Sequence, residues 1–379
     1  MLIYLDNNAT TRVSDEVIGA MTPFYREHFG NAHAIHVLGR RSHDAVEAAR
    51  EEIARLLDCD SAEVIFTSCG TEGNAMVLRG LLDRNPSRRR IVTTAVEHPS
   101  VLTLLRALAS SGAIQLEIVP VSEEGAIDME AMREAIDEQT LLVSVMLAQN
   151  ETGVLHPIAE IAQLAHARGA LIHVDAVQAA GKVPVSQREL DADFITISGH
   201  KFHAPKGVGA LTIRKGLALT PLWYGGGQEL GLRSGTEPVP SIAGLGVAAK
   251  QAREALAHYD RIRALRDRLE SSILSSVPET SVNGGTQPRL GNTTNISFHD
   301  VAADEVVRAL DREGICLSAG AACNSGKVEP SGTMKAMGRP LRFAMGAVRF
   351  SLSRYTTAEE IERVIEVVPR VVVSSLSRP

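Results

Sequence analysis

The sequence predicts an α/β protein with a large domain built on a mainly parallel β-sheet and a smaller α+β domain. Short apolar runs alternate with helical patterns through the middle of the chain, as in consecutive strand–helix–strand units. The runs are apolar at successive positions, which is typical of strands that are covered on both faces. After about residue 250 the alternation stops, which indicates a second region with a different architecture.

Six apolar runs are the predicted strands of the large domain. They span residues 64–67, 91–96, 114–121, 141–148, 171–174 and 194–198. A helix is predicted over 46–57, where apolar residues recur every three or four positions. Another is predicted between Pro157 and Gly169, because proline favours the first position of a helix and glycine the residue after its end. The predicted elements of the second region are a charged helix over 253–274, which leads into the segment NISF over 295–298, and a final helix after Thr357.

Composition and charge restrict the class of protein. Of 379 residues, 44% are hydrophobic and 22% are charged, which is ordinary for a folded globular protein. The net charge of −6 argues against a nucleic-acid-binding protein, which usually carries a basic surface. The sequence shows no targeting pattern and no apolar run of about 18 residues, so we expect a cytoplasmic protein without a membrane span. The 4 cysteines form neither a CxxC pair nor a zinc-type spacing, and no metal site is expected.

Lys201 and Asp175 are the first candidates for a functional site, because each follows a predicted strand. Ligands of open α/β sheets bind at the carboxyl ends of the strands. A lysine that is desolvated there becomes a nucleophile for aldehydes, and an aspartate can keep a pyridine nitrogen protonated. The pair suits pyridoxal phosphate (PLP). Taken alone it is only suggestive, because many sheets place an aspartate at a strand end.

Residues 67–74, which read TSCGTEGN, form a candidate phosphate site between a strand and a helix. The backbone N–H groups and the dipole of a helix N-terminus favour a phosphate. The alternative is an ordinary capped turn with Thr71 as the N-cap. His98 follows another predicted strand, where it could stack on a cofactor ring or transfer protons, or be a structural hydrogen-bond donor.

Cys323 lies among small residues, in the sequence Gly-Ala-Ala-Cys-Asn-Ser-Gly over 320–326. The small neighbours predict an accessible, mobile loop. A cysteine exposed in such a loop is a poor choice for packing, which indicates that its reactivity is used.

These segments together resemble the cysteine desulfurases, the NifS-like and IscS-like branch of the class V aminotransferase group, and the NifS-like side most closely. The resemblance extends nearly from end to end. Its motifs are YLDNNATT from Tyr4, TSCGTEGN from Thr67, EHP from Glu97, QNETG from Gln149, DAVQ from Asp175, SGHKFHAPKGVG from Ser198 and RFSLSR from Arg349. Each motif is weak alone, and their joint order is specific.

The resemblance implies a PLP-dependent transferase of fold type I that forms a homodimer. The large PLP-binding α/β domain would span residues 15–250 and contain a seven-stranded sheet. Residues 1–14 and 251–379 would form the small α+β domain that carries the catalytic cysteine loop.

The resemblance also implies roles for single residues. Lys201 would be the Schiff-base lysine, Cys323 the persulfide-forming nucleophile, and His98 the group that stacks on the ring and exchanges protons. Arg349 and Asn150 would bind the substrate carboxylate. The residues that would contact the cofactor are Lys201, Asp175, Gln178, His98, Gly70, Thr71, Asn150, Ser198 and His200, with Thr236 from the other subunit.

The implied reaction converts L-cysteine to L-alanine and leaves a persulfide on Cys323. The sulfur would go to an iron–sulfur scaffold or another acceptor protein for cluster assembly, including that of nitrogenase. One alternative is a selenocysteine lyase or another PLP enzyme of the same fold, although an aminotransferase has no need of a loop cysteine. A different class is a non-catalytic iron–sulfur assembly scaffold, which would have no need of Lys201 or Asp175.

Overall fold

The computed structural model describes residues 2–320 and 329–376. The strands in these ranges are β1 Ile3–Tyr4, β2 Val64–Thr67, β3 Arg90–Thr94, β4 Gln115–Val119, β5 Thr140–Met146, β6 Leu171–Asp175, β7 Phe194–Ser198, β8 Gly209–Ile213, β9 Thr280–Val282, β10 Thr293–Phe298, β11 Ile315–Cys316, β12 Ser318–Ala319 and β13 Ala347–Ser351. The helices are α1 Asp15–Arg26, α2 Val37–Leu57, α3 Gly70–Arg84, α4 Pro99–Ser110, α5 Met129–Ala135, α6 Ile158–Ala167, α7 Val239–Ala255, α8 Tyr259–Ser276, α9 Ala303–Arg312, α10 Gly332–Ala336, α11 Leu341–Ala344 and α12 Ala358–Leu376.

The large sheet has seven strands in the order β2-β8-β7-β6-β5-β3-β4. All neighbours run parallel except β8, which is antiparallel to both β2 and β7. The predicted fold class, a mainly parallel seven-stranded sheet with a smaller α+β part, is therefore confirmed. The predicted runs did not include β8. It follows β7 through a short connection over residues 199–208, and so short a connection requires antiparallel pairing.

Several predicted boundaries differ from the observed ones. The predicted strands over 114–121 and 141–148 are longer than β4 and β5, because their last apolar residues leave the ladder and turn toward the loops that follow. Helix α2 begins well before its predicted start, at Val37, where the ring of His36 accepts a hydrogen bond from Gly39 N and caps the helix. After Val37 and Leu38 no apolar side chain follows until Ala45, so apolar spacing did not reveal the first turns of α2. Pro157 precedes α6 as its cap instead of occupying its first position.

The large sheet is covered on both faces. One face packs with residues of α2, α6 and α7 in the largest apolar core. The other face packs with residues of α3 and α4. The continuous apolar runs of the central strands follow from this arrangement, and every residue of β5 and of β7 is buried.

A second core forms around the antiparallel sheet β12-β13-β10-β9 and the helices α8, α9 and α12. Ile3 and Leu5 from the start of the chain belong to this core, and β1 pairs in parallel with β11. Residues 3–5 therefore pack with the second core, whereas Val13 packs against the first core. Leu290 packs with the first core, so the boundaries at 15–250 and 251–379 stay a prediction.

Within the part of the chain that the structure describes, we find no helix with the length and apolar character to cross a membrane.

A buried ion pair joins α2 to the edge strand of the large sheet. Two N–H groups of Arg50 donate to the two carboxylate oxygens of Glu229 at 2.8 and 2.9 Å. Glu229 also accepts from the backbone N–H of Phe66 at 2.7 Å, and Arg50 donates to Val64 O at 2.7 Å. The side chain of Glu229 is only 3% exposed, so loss of its partner would leave a buried carboxylate unpaired.

We therefore expect Arg50→Met to lower the free energy of unfolding by about 3–5 kcal/mol, the usual effect of breaking a buried pair. Arg55→Met on the same helix is the matched control. Arg55 pairs with Glu51 and Glu52 but is half-exposed, so its loss should cost about 0–1 kcal/mol. Urea unfolding of both variants at equal protein concentration measures the difference. Equal destabilisation by the two substitutions would contradict this assignment.

Candidate active site

The carboxyl ends of β6 and β7, the N-terminus of α3 and residues near the start of the chain surround a cavity of about 320 Å³. The residues of the predicted site that line it are Gly70, Thr71, His98, Asn150, Asp175, Gln178, Ser198, His200, Lys201 and Arg349. Strands β6 and β7 are adjacent and parallel, which is why Asp175 and Lys201 reach the same edge. The remaining lining residues are Asn8, Ala9, Cys69, Asn74, Ser100, Met146, Ala148 and Val177.

Lys201 ends a short helical turn that follows β7. Its amine donates to the backbone oxygens of Asn8 at 2.6 Å and Ala9 at 2.9 Å. Burial, and then the positive charge of Arg349, lower the pKa of Lys201 to about 8, against smaller opposing effects of Asp175 and Asp6. A larger fraction of the amine is therefore uncharged near neutral pH than in an ordinary lysine, and the uncharged form is the nucleophile.

Asp175 is the last residue of β6, and its carboxylate is held from two sides. Asn74 Nδ2 donates to Oδ2 at 2.9 Å, and the backbone N–H of Val177 donates to Oδ1 at 3.0 Å. Asn74 also donates to Ser100 Oγ at 3.0 Å, which ties α3 to α4. These bonds fix the orientation of a carboxylate that lines the cavity.

The N-terminus of α3 forms the end of the cavity that suits an anion. Helix α3 begins at Gly70 with Cys69 as its cap, so the alternative with Thr71 as the N-cap is wrong. A Cβ on Gly70 would lie 2.7 Å from Val177 Cγ2, which leaves no room for a larger residue. Ser198 Oγ is buried and has no hydrogen-bond partner among the described residues. An unpartnered hydroxyl beside a helix N-terminus is ready to donate to a phosphate.

His200 lies beside this end of the cavity. Its Nδ1 is 3.2 Å from Thr10 Oγ1. Burial, followed by the charges of Lys201, Lys206 and Lys182, lowers the pKa of His200 to about 4. The ring is therefore neutral at physiological pH and can act as a hydrogen-bond donor without carrying charge.

His98 caps α4, and its Nδ1 accepts from the backbone N–H of Ser100 at 3.1 Å. Burial, against the opposing effect of Asp175, lowers the pKa of His98 below its ordinary value. Its neighbour Glu97 is fully enclosed, and burial raises the pKa of that carboxyl to about 8. His98 thus caps a helix, as the alternative of a structural role predicted, and it also lines the cavity.

Arg349 comes from the small domain, on β13, and faces the same cavity. One of its N–H groups donates to Asp6 Oδ1 at 2.8 Å and another to Asn150 O at 3.0 Å. Its Nε is buried with no partner among the described residues. A guanidinium with an unused N–H can grip a carboxylate from a ligand.

Two predicted residues do not line this cavity in the described structure. Thr236 is exposed and precedes α7. Cys323 lies outside the described residues. Gly320, just before the segment that carries Cys323, approaches Glu151 so closely that a Cβ would lie 2.6 Å from its Oε2. Glu151 also accepts from Thr333 Oγ1 at 2.6 Å, and burial raises its pKa.

Sequence reasoning missed the residues that hold the predicted ones in place. Asn74, Asp6, Asn8 and Lys182 had no assigned role, although Asp6, Asn8 and Asn74 lie in motifs of the resemblance. A signal existed for Asn74, which is a polar residue one turn into an otherwise apolar helix face. No local signal marks Asp6 as the partner of Arg349, because the two are 343 positions apart.

Comparison with known proteins agrees with this geometry. The profile of the family described as Aminotransferase class-V matches residues 3–364. The chain belongs to this family. It is similar to a cysteine desulfurase of Trichormus azollae, with 46% identity over 98% of this chain and 93% of that protein.

Two further proteins are similar to this chain over nearly its full length. The cysteine desulfurase NifS of Azotobacter vinelandii is 46% identical, over 98% of this chain and 92% of that protein. The solved structure of a NifS-like protein superposes with a TM-score of 0.91 and 36% identity, over 99% of this chain and 100% of that one. The chain is thus an enzyme of a family whose members use pyridoxal phosphate.

The environment of Lys201 leads to a testable prediction. In cofactor-free protein, acetylation of Lys201 should reach half its maximal rate near pH 8, because only the uncharged amine reacts. Arg349→Gln removes a cation that lowers the pKa of Lys201, so the midpoint should move up by about 0.5–1 pH unit. Mass spectrometry of the peptide that contains Lys201 gives the rate at each pH.

Arg354→Gln is the matched control, since Arg354 is in the same segment but is not among the charges that act on Lys201. Its midpoint should equal that of the wild type. An unchanged or lower midpoint in Arg349→Gln would contradict the account of the site.

Proposed function

We propose that this chain is a cysteine desulfurase that holds pyridoxal phosphate in the cavity and converts L-cysteine to L-alanine, leaving a persulfide on Cys323. The observation that carries the proposal is the meeting of Lys201, Asp175 and Arg349 in one cavity. The cysteine desulfurases to which the chain is similar over nearly its full length support the same reaction.

The unpartnered polar groups of the cavity suit this cofactor. The start of α3, with Gly70 and Thr71, would receive the phosphate together with Ser198 and His200, and the free Ser198 Oγ supports this. Asp175 would accept a hydrogen bond from the ring nitrogen, and Gln178 would donate to the ring hydroxyl. His98 would stack on the ring. When bound, pyridoxal phosphate supplies an aldehyde for attachment to an amine and a ring that accepts electrons.

The side of the cavity that β13 forms would bind the substrate. Arg349, with its unused Nε–H, and Asn150 would bind the carboxylate of L-cysteine. This contact orients the Cα–H bond toward Lys201 Nζ. The uncharged amine can then accept the Cα proton and later return it, because its pKa of about 8 is close to neutral.

Sulfur transfer requires a second nucleophile. The thiolate of Cys323 attacks the substrate sulfur, so that an S–S bond forms while the Cβ–S bond of the substrate breaks. L-cysteine and the Cys323 thiol thus become L-alanine and a Cys323 persulfide, with no external oxidant. An ordinary thiol has a pKa of about 8.5, and His98 is our candidate for the group that exchanges its proton.

A homodimer completes the site in this proposal. Thr236 would reach the phosphate of the partner subunit, which accounts for its exposure and its position away from its own cavity. The same stretch exposes Tyr224 and Leu230, which are 80% and 77% accessible in the single chain. Large exposed apolar side chains that lie close together mark contact surfaces.

The persulfide would pass to an iron–sulfur scaffold or another sulfur-acceptor protein for cluster assembly. We place the enzyme in the cytoplasm, where thiols stay reduced. Cys59, Cys69 and Cys316 are free, which is in keeping with that compartment.

The proposal predicts the outcome of adding L-cysteine and a reductant to the purified enzyme. Alanine and sulfide should appear in equal amounts. Cys323→Ser should lower both rates by about 100-fold or more, since the covalent step is lost, and should leave the visible absorption of the bound cofactor unchanged. Alanine is quantified by chromatography and sulfide by a colorimetric assay.

Cys59→Ser is the matched control. Burial raises the pKa of the Cys59 thiol to about 12, so it stays protonated and this variant should keep wild-type rates. Full alanine production by Cys323→Ser would refute the role of Cys323, and a wild-type protein that binds the cofactor without producing alanine would refute the substrate.

A further inference from the structure

Lys182 is a buried lysine without an acidic partner. It follows β6 in the connection to β7, and only 6% of its surface is exposed. Among the described residues no carboxylate oxygen lies within ion-pair distance of its amine. A lysine is almost never buried unless it is paired, so the position calls for a physical reason.

The amine of Lys182 is bonded to two side-chain amide oxygens. It donates to Gln178 Oε1 at 2.7 Å and to Asn8 Oδ1 at 3.3 Å. An amine donates where an amide oxygen accepts, so this contact decides which end of the Gln178 amide faces Lys182. The NH₂ group of Gln178 must then point the other way.

That NH₂ group connects Lys182 to the active-site lysine. Gln178 Nε2 donates to the backbone oxygen of Asn8 at 2.8 Å, and Lys201 Nζ donates to the same oxygen at 2.6 Å. Asn8 therefore accepts a hydrogen bond from Lys182 at its side-chain oxygen, and hydrogen bonds from both Gln178 and Lys201 at its backbone oxygen. The second N–H of Gln178 is not used in this ring of contacts, and Gln178 lines the cavity.

The charges around Lys182 are positive. Burial, and then Lys201 and Arg349, lower its pKa well below the ordinary value. A second, small cavity of about 30 Å³ is lined by both lysines and by His203, Tyr259 and Arg354, and has room for a water molecule. Burial also lowers the pKa of His203, to about 4, and the charge of Lys182 acts on His200. Among the described residues the side-chain acceptors for its amine are the amide oxygens of Gln178 and Asn8, and these two contacts hold the amine in place.

We propose that Lys182 is a positioning residue of the active site: its amine orients the amide of Gln178 as a donor toward the cavity and fixes Asn8, the acceptor for Lys201. The inference rests on the proposed function for the identity of the ligand that Gln178 meets. The positioning itself depends only on contacts within this chain.

A double-mutant cycle between Lys182 and Gln178 tests this. Lys182→Met keeps the length of the side chain and removes the donor, and we expect it to weaken pyridoxal phosphate binding about tenfold. Gln178→Ala should weaken it to a similar degree. If Lys182 acts through Gln178, the double variant should bind no more weakly than Gln178→Ala alone. Absorption titration of cofactor-free protein gives the affinities, and additive losses would overturn the proposal.

The cofactor-free protein provides a second readout, the pH midpoint of Lys201 acetylation. Lys182→Arg places a permanent cation beside Lys201, so the midpoint should fall below that of the wild type. Lys250→Met is the matched control, because Lys250 is an exposed lysine on α7 that is not among the charges acting on Lys201 or His200, and its loss should change neither the midpoint nor the cofactor affinity by more than about twofold. Equal midpoints in Lys182→Arg and the wild type would count against the proposal.

Two further comparisons keep the test decisive. If Lys182→Met does not fold, Lys182→Gln retains a donor in a shorter side chain and takes its place in the cycle with the same expectation of non-additivity. Failure of the proposed function gives a different result, namely a wild-type protein that makes no alanine while Lys182 and Gln178 remain coupled.

Discussion

The active site depends on the position of Asn8, a residue near the start of the chain that lies between the two cores. Its backbone oxygen accepts from Lys201 and Gln178, which belong to the large sheet. Its side chain bonds to Thr293 at 2.9 Å and Asn292 at 3.1 Å, which belong to the region of the second core. A buried amide that loses a hydrogen-bond partner costs the full free energy of its desolvation. Loss of one contact of Asn8 would therefore destabilise the position on which its other contacts depend. The active-site lysine is thus oriented by a segment that the second core holds.

The charge of the active site follows from the close packing of its cationic side chains. Lys182, Lys201 and Arg349 lie close enough to affect one another, and among the described residues Asp175 and Asp6 oppose their effect on Lys201. Burial penalises each charge, so the amines release their protons at lower pH than free lysines do. A cavity of this kind attracts anions, such as a phosphate at the start of α3 and a carboxylate beside Arg349. One arrangement therefore provides both binding of anionic ligands and an uncharged amine.

Much of the site could be predicted from residues that follow strands. Lys201, Asp175 and His98 were identified because a parallel sheet brings the carboxyl ends of its strands to one edge, and the structure places all three at one cavity. The resemblance supplied the roles of Gln178 and Arg349. Residues that act on others were missed, since Asp6 and Lys182 show their function only through contacts with Arg349 and Gln178. A hydrogen-bond partner leaves no periodic trace in a sequence.

By itself, the sequence determined the alternation of strands and helices, the parallel character of the sheet and the chemical type of the site, because apolar periodicity and strand-end chemistry are local properties. The tertiary structure alone decided that β8 inserts between β2 and β7, that Arg349 pairs with Asp6 and lines the cavity at the edge of the large sheet, and that Lys182 is buried without an acid. These features depend on residues far apart in the chain, whose distances are set by how the two cores pack against each other.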